Sequence, residues 1–211
     1  FDPPEYLRRL YDPDDDDVAN VIQSPYRPWK EALTERELLR LQANYAGEVT
    51  MVDRWFGSFM ETMRFTGQLD DTVVVVVCDH GHNLGHDPGD MGLVSKQGHP
   101  MTKAVCKLVA MIRHPSGQGA GLVTDALMYN HDLTATFMAL SGAKSEQPMD
   151  GVDVWPWALD RTAKGREYVT VAWGPLVTVI DHEWWYNDNV WNEAPLLFNL
   201  SQAPNLTHNL S

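Results

Sequence analysis

The stretch that decides the fold runs from Thr72 to Pro115. It opens Thr72-Val73-Val74-Val75-Val76-Val77-Cys78 and continues Asp79-His80-Gly81-His82. A glycine-rich polar loop follows, carrying His86, Asp87, Asp90, Lys96 and His99. It closes on a second apolar run, Val105 to Ile112, and on Arg113-His114-Pro115. An uninterrupted β-branched run predicts a strand buried on both faces, as in the middle of a parallel sheet, because a half-exposed strand alternates polar and apolar residues. Polar groups crowded just past the carboxyl end of such a strand sit where open α/β sheets bind ligands. Neighbours within a strand point to opposite faces, but past its end the loop frees Asp79 and His80 to turn into one site.

Upstream, residues 34–66 predict a long helix. Thr34 and Glu37 fit a capping box. Leu38, Leu41, Tyr45, Val52, Phe56, Phe59 and Met63 recur at helical spacing, and Gly67 suits the left-handed residue beyond the last turn. The stripe is expected to pack as core on a sheet, and helix, short loop and buried strand make an α/β unit. Residues 1–31 read as irregular apart from a short helical piece near Glu5 to Tyr11. The acidic run Asp14 to Asp17 lacks the glycine and distal glutamate of a calcium loop and reads as a solvated loop. Downstream, a helix is expected near His131 to Ser141, with Asp132 suited by charge to its first turn. From Tyr168 the pattern changes to short β-rich pieces: Tyr168 to Trp173, Leu176 to Ile180, Trp184 to Tyr186 and Leu196 to Asn199. Turn residues separate them, which predicts a small antiparallel sheet. The composition shift near residue 160 divides the chain into residues 1–158 and a β subdomain over 159–211.

Composition narrows the partners. The chain has 211 residues, is 44% hydrophobic, and carries 16 basic against 29 acidic residues, a formal charge of −13. A sizeable core is expected. Nucleic acid and anionic membranes are disfavoured, because both need a basic face. No apolar run reaches membrane-spanning length. Cys78 and Cys106 both lie in apolar, strand-like runs and read as buried free thiols rather than a disulfide or metal pair.

The chemistry concentrates in the loop after the valine run. A carboxylate and an imidazole, Asp79 and His80, are ligand types for Ca²⁺, Mn²⁺ or Zn²⁺; the structural alternative is that Asp79 caps the strand end and His80 bonds backbone. His82 and His86 add imidazoles, but their spacing does not fit the H-x-H-x-D-H pattern of metallo-β-lactamase-like zinc hydrolases. They read as ordering the loop or facing a substrate. Lys96 is a point charge able to neutralise an anionic oxygen, and His99 could donate to the same anion or act as general acid. Lys103 and Lys107 extend this basic cluster, though their spacing also fits one solvated face.

In order along the chain, Tyr45 through Asp53, Gly57, Asp71-Thr72-Val73, the valine run, Asp79-His80-Gly81 and Gly92-Leu93-Val94-Ser95-Lys96 resemble the second half of a sulfatase. This is the sulfatase branch of the alkaline phosphatase superfamily. Arg113-His114-Pro115, His131-Asp132-Leu133 and Met149-Asp150-Gly151-Val152-Asp153 match in the same order. So does the closing segment, Leu197-Phe198-Asn199-Leu200 with Pro204 to Leu210. The resemblance implies an alkaline phosphatase-like α/β fold, with part of a mainly parallel sheet flanked by helices. It also implies that residues 1–158 are the C-terminal part of a catalytic domain. Asp79 and His80 fall on metal ligands, and Lys96 on a sulfate-binding lysine. Calcium is the implied metal, with manganese or zinc as alternatives. Two departures stand out: Gly98-His99-Pro100-Met101-Thr102 replaces a usual Tyr-Glu segment, and Cys78 replaces Ser or Thr.

The family's nucleophile is a Cys or Ser of a C/S-x-P-S-R-type motif, converted to formylglycine, and this chain has no such motif. The chain is therefore expected to be a C-terminal fragment of a longer enzyme, with that nucleophile in the N-terminal half. Alone, these residues are expected to be inactive and to bind metal poorly. The expected function is metal-dependent hydrolysis of sulfate esters, on a small-molecule or saccharide substrate. Phosphate or phosphonate ester hydrolysis is the runner-up. A zinc hydrolase built on His80, His82 and His86, or a non-catalytic domain, are the alternatives from other classes.

Overall fold

The computed structural model describes residues 1–14, 16–21, 23–25, 28–85, 92–96, 98, 100–191 and 193–211. They form two compact units. One comprises Phe1–Thr72 with His80–Lys107, the other Val73–Asp79 with Leu108–Ser211. Among the described residues no helix is long and apolar enough to cross a membrane.

The first unit is helical: α1 (Glu5–Arg8), α2 (Glu35–Phe65) and the single turn α3 (Lys103–Cys106). The capping box starts α2 as expected. The Glu37 amide donates to Thr34 Oγ1 at 3.2 Å, and the Thr34 amide donates to the Glu37 carboxylate at 2.7 Å. Gly67, at φ 72°, takes the left-handed conformation that ends the run. The buried residues of α2, from Leu38 to Gly47, all lie in its first half. There Leu38 and Leu41 close over Val94, with Trp29 and Leu33 against them. The expectation that the whole stripe is core is corrected beyond this point, since Val52 is 62% and Phe59 51% exposed. Helical spacing says which side chains share a face; it does not say that anything covers that face.

The acidic run adjoins a set of ion pairs to α2. Arg40 donates to Asp12 at 2.6 Å and to Asp16 at 2.7 Å. Arg36 donates to both oxygens of Asp12, at 2.8 and 2.9 Å, and to Asp16 at 2.7 Å. Asp12 and Arg40 are buried. Asp12, just ahead of the acidic run, is therefore an ion-paired anchor against α2 that Asp16 joins, while Asp14, Asp16 and Asp17 are exposed, as expected of a solvated loop. Burial alone would raise the Asp12 pKa. The two guanidinium groups outweigh it and hold the carboxyl at about 2.

The second unit holds β1 (Val74–Val77), β2 (Ala110–Arg113), α4 (Asp132–Ser141), α5 (Trp155–Ala158), β3 (Val169–Trp173), β4 (Leu176–Ile180), β5 (Trp184–Asn189) and β6 (Leu196–Asn199). Strand β1 pairs antiparallel with β2, Val74 opposite Arg113 and Val77 opposite Ala110. The mainly parallel sheet is thus not met among the described residues, whose two sheets are both antiparallel. Nor is β1 buried on both faces, Val77 being 43% exposed. A β-branched run specifies a strand but carries no information on the direction of its neighbours. The apolar run from Val105 also splits, its first residues ending α3 and its last forming β2. Both cysteines are free, but Cys78 is exposed, not buried; burial pushes the Cys106 thiol up to about 12. The late β-rich pieces form one sheet in the order β3-β4-β5-β6, all antiparallel.

Asp132 is the polar centre of this unit and fully buried. It accepts from the Tyr129 amide at 2.8 Å, the Val152 amide at 2.9 Å and Arg166 at 2.5 Å. Burial opposes its ionisation, and these donors nevertheless keep its carboxyl below the ordinary range. Its role extends well past charging the first turn of α4.

Removing one member of a buried pair strands the other, so Asp12→Ala should cost about 3–5 kcal/mol, read as a lower urea midpoint. The sign of the pH effect follows from the depressed pKa. The Asp12 contribution is complete above the ordinary carboxyl value of 3.8 and is lost as pH falls through about 2. The wild-type midpoint should therefore drop in that acid window more steeply than that of the Ala variant.

Candidate active site

The loop beyond β1 is held by contacts within the first unit. The Gly81 amide donates to the Val105 carbonyl at 3.0 Å. A Cβ on Gly81 would lie 1.8 Å from the Ala104 carbonyl oxygen, so only glycine allows this approach. The Asn83 amide donates to the Ser95 carbonyl at 2.8 Å. Thr102 Oγ1 donates to Asn83 Oδ1 at 2.5 Å. Gln42 of α2 holds the Leu84 carbonyl at 2.8 Å. Lys96 follows a buried run, Leu93-Val94-Ser95. Val94 is set by the α2 core, and the Trp29 amide bonds the Gly92 carbonyl at 2.8 Å.

His80 is half-buried, and its Nδ1 lies 2.9 Å from the Gly81 carbonyl oxygen. That oxygen only accepts, so in the neutral ring Nδ1 carries the proton and Nε2 the lone pair. This is the tautomer that a backbone carbonyl imposes on a metal-binding histidine when it accepts from the ring nitrogen facing away from the metal. Lys96 is half-buried as well, and Asp79, the last residue of its segment in the second unit, is exposed. His99 lies outside the described residues, as do His86, Asp87 and Asp90.

His82 orders the loop. Its Nε2 is 2.8 Å from Ser24 Oγ, and its ring meets Phe1 edge-on and lies near-parallel to Tyr45. Burial, reinforced by the neighbouring His80 and Lys96 charges, lowers its pKa to about 4. These effects draw His80, His82 and Lys96 into one electrostatic neighbourhood. With His82 bonded to Ser24, the trio His80, His82 and His86 is not supported as a zinc cage. Sequence reasoning missed Ser24, Asn83 and Thr102, which are small polar residues far apart in the chain with no local pattern to mark them.

A family model described as Sulfatase matches residues 2–143. The chain belongs to the sulfatase family, within the alkaline phosphatase superfamily. It is 29% identical over 147 residues to an extracellular sulfatase SULF-1 homolog of Drosophila melanogaster, covering 69% of this chain and 12% of that protein. It is 29% identical over 161 residues to a choline-sulfatase of Rhizobium meliloti, covering 73% of this chain and 30% of that one. Among solved structures, the phosphonate monoester hydrolase of Silicibacter pomeroyi matches 99% of this chain and 49% of its own, with a TM-score of 0.77 at 22% identity. The fold is thereby alkaline phosphatase-like. The chain spans about an eighth and under a third of these two curated relatives, and about half of the solved structure.

Sulfatases as a family imply a divalent metal. Asp79 and His80 fit it in kind, and the His80 tautomer suits it. They do not fit it in number, because calcium alone takes 6–8 ligands. Among the described residues no three His, Cys, Asp or Glu side chains gather to complete a shell.

The depressed pKa of His82 has a direct readout. In an NMR pH titration its ring should stay neutral at pH 6 and protonate near 4. The associated stability is present above the ordinary value of 6.5 and is lost as pH falls towards 4. A midpoint near 6.5 would contradict the buried placement.

Proposed function

We propose that the protein containing this chain hydrolyses sulfate esters of a small molecule or saccharide. The observation that carries this reading is the half-buried Lys96 sharing a neighbourhood with His80, in a chain whose family match spans both. Asp79 and His80 are proposed as metal donors. A bound divalent metal, calcium before manganese or zinc, would supply charge that polarises a substrate oxygen. Lys96 neutralises an anionic oxygen of the ester, and His99 is proposed to donate to the same group. We place the formylglycine nucleophile outside these 211 residues, since the chain carries no C/S-x-P-S-R-type motif. We assign residues 1–158 to the C-terminal part of the catalytic domain, within which the family match over residues 2–143 falls, and 159–211 to a small antiparallel β subdomain.

A phosphate or phosphonate ester also presents anionic oxygens on a tetrahedral centre, so the test assays both. The full-length protein is given an aryl sulfate and an aryl phosphonate monoester, and the sulfate should be preferred in kcat/KM. Lys96→Ala should lower turnover by about 10²–10³, the range for losing one preorganised charge contact. Metal content should be unchanged, because Lys96 touches the anion and not the cation. Near-normal turnover of this variant would reject the role of Lys96; preference for the phosphonate would reassign the substrate.

A further inference from the structure

Asn83 stands between the two stretches that carry the proposed chemistry. It lies three residues beyond His80. Its backbone amide holds the carbonyl of Ser95, the residue before Lys96, and its side-chain oxygen receives the Thr102 hydroxyl. All three residues are essentially inaccessible: Asn83 and Ser95 are 1% exposed and Thr102 is fully buried.

Two local rules are broken to make this contact. Thr102 is the N-cap of α3, a position where a threonine hydroxyl normally accepts from the helix's first amides. Here it makes no such bond and donates to Asn83 instead. The Asn83 Nδ2 is buried and has no partner among the described residues. A buried donor without a partner is costly, and most native structures avoid one. Local conflicts that persist in a native structure concentrate where geometry serves function. The cost is accepted at a residue that ties the His80 loop both to the Lys96 segment and to the N-cap of α3.

We propose that Asn83, clamped by Thr102, is a positioning residue that fixes the spacing between His80 and Lys96. This rests on the reading of those two residues given above, but its physical content is separate. It says that the Asn83–Thr102 bond, and not the backbone contact alone, sets where the imidazole and the ammonium stand. A displacement of about 1 Å at reacting groups is enough to lower a rate about 10²-fold. A clamp between the two stretches is therefore a sensitive point. Neither Asn83 nor Thr102 is proposed to touch substrate.

The test uses the full-length protein with Asn83→Leu, Thr102→Val, Thr102→Ser, and the Leu/Val double variant. Leucine approximates the shape of asparagine and removes the unpartnered donor, so a variant that keeps its melting temperature while losing function separates positioning from folding. The first readout needs no substrate: the NMR signals of the His80 ring and the Lys96 side chain. The second is kcat/KM on the aryl sulfate and the aryl phosphonate monoester. Asn83→Leu and Thr102→Val should each move both sets of signals and lower kcat/KM about 10- to 100-fold. Thr102→Ser, which keeps the hydroxyl, should do neither, and the double variant should be no worse than either single one. If Asn83→Leu does not fold, Thr102→Val carries the same comparison.

Unmoved His80 and Lys96 signals in the folded variants would overturn the clamp, whatever happens to activity. Moved signals with unchanged kcat/KM in an active enzyme would overturn its positioning role. Moved signals in a protein whose wild type hydrolyses neither ester would uphold the clamp and reject the hydrolase reading instead.

Discussion

The candidate site depends on one close backbone approach. Gly81 brings the loop after β1 against α3 so tightly that a methyl group there would overlap the Ala104 carbonyl oxygen. The hydrogen bond from its amide to Val105 forms at that contact. With the chain held there, His80 lies against the Gly81 carbonyl, and His82 makes the aromatic contacts with Phe1 and Tyr45. Asn83 then falls beside Ser95. With any larger residue the backbones would have to separate, and the side chains that depend on this turn would move with them. The valine run delivers the chain to this point, and the glycine determines what the next residues can face.

Each unit is held by a buried carboxylate that organises chain distant in sequence. In the first, Asp12 takes guanidinium hydrogen bonds from Arg36 and Arg40 and fixes the N-terminal segment to α2. In the second, Asp132 joins the start of α4 to the backbone at Val152 and to Arg166. Such a node is strong evidence for a specific arrangement and weak evidence for net stability, because desolvation offsets much of the Coulombic gain. The directional bonds are what matter: a carboxylate that accepts from two backbone amides and a guanidinium leaves little freedom in how those segments meet.

Much of this was legible in the sequence, and the reasons differ from element to element. The Thr34–Glu37 cap, the Gly67 stop and the four late strands were readable because their signals are local. Lys96 and His80 were readable as site candidates because charged and metal-binding side chains follow an apolar strand run. The pairing of β1 was not, since the direction of a neighbouring strand is a property of the whole fold. The exposed half of α2 was not, because periodicity is blind to what covers a face. Asp12 and Asp132 were not legible as buried nodes, since their arginine partners lie 24, 28 and 34 residues away. Asn83 and Thr102 were not legible as a pair, since no local pattern links residues 19 apart.

The net charge of −13 stands against the anionic substrate proposed above, and the surroundings of His82 resolve the conflict. A global field from exposed carboxylates is screened by salt within roughly 8 Å at physiological ionic strength, whereas partly buried charges act on their neighbours with much less attenuation. Burial already disfavours a proton on His82, and the positive charges of His80 and Lys96 disfavour it further, so that it stays neutral to about pH 4. A neutral imidazole there does not compete as a cation for carboxylates, and Lys96 contributes positive potential beside it. The potential that repels a proton from His82 is the one that would attract a sulfate oxygen. An acidic surface and a locally positive neighbourhood around His82 are therefore compatible, the first acting at long range and the second on the groups beside it.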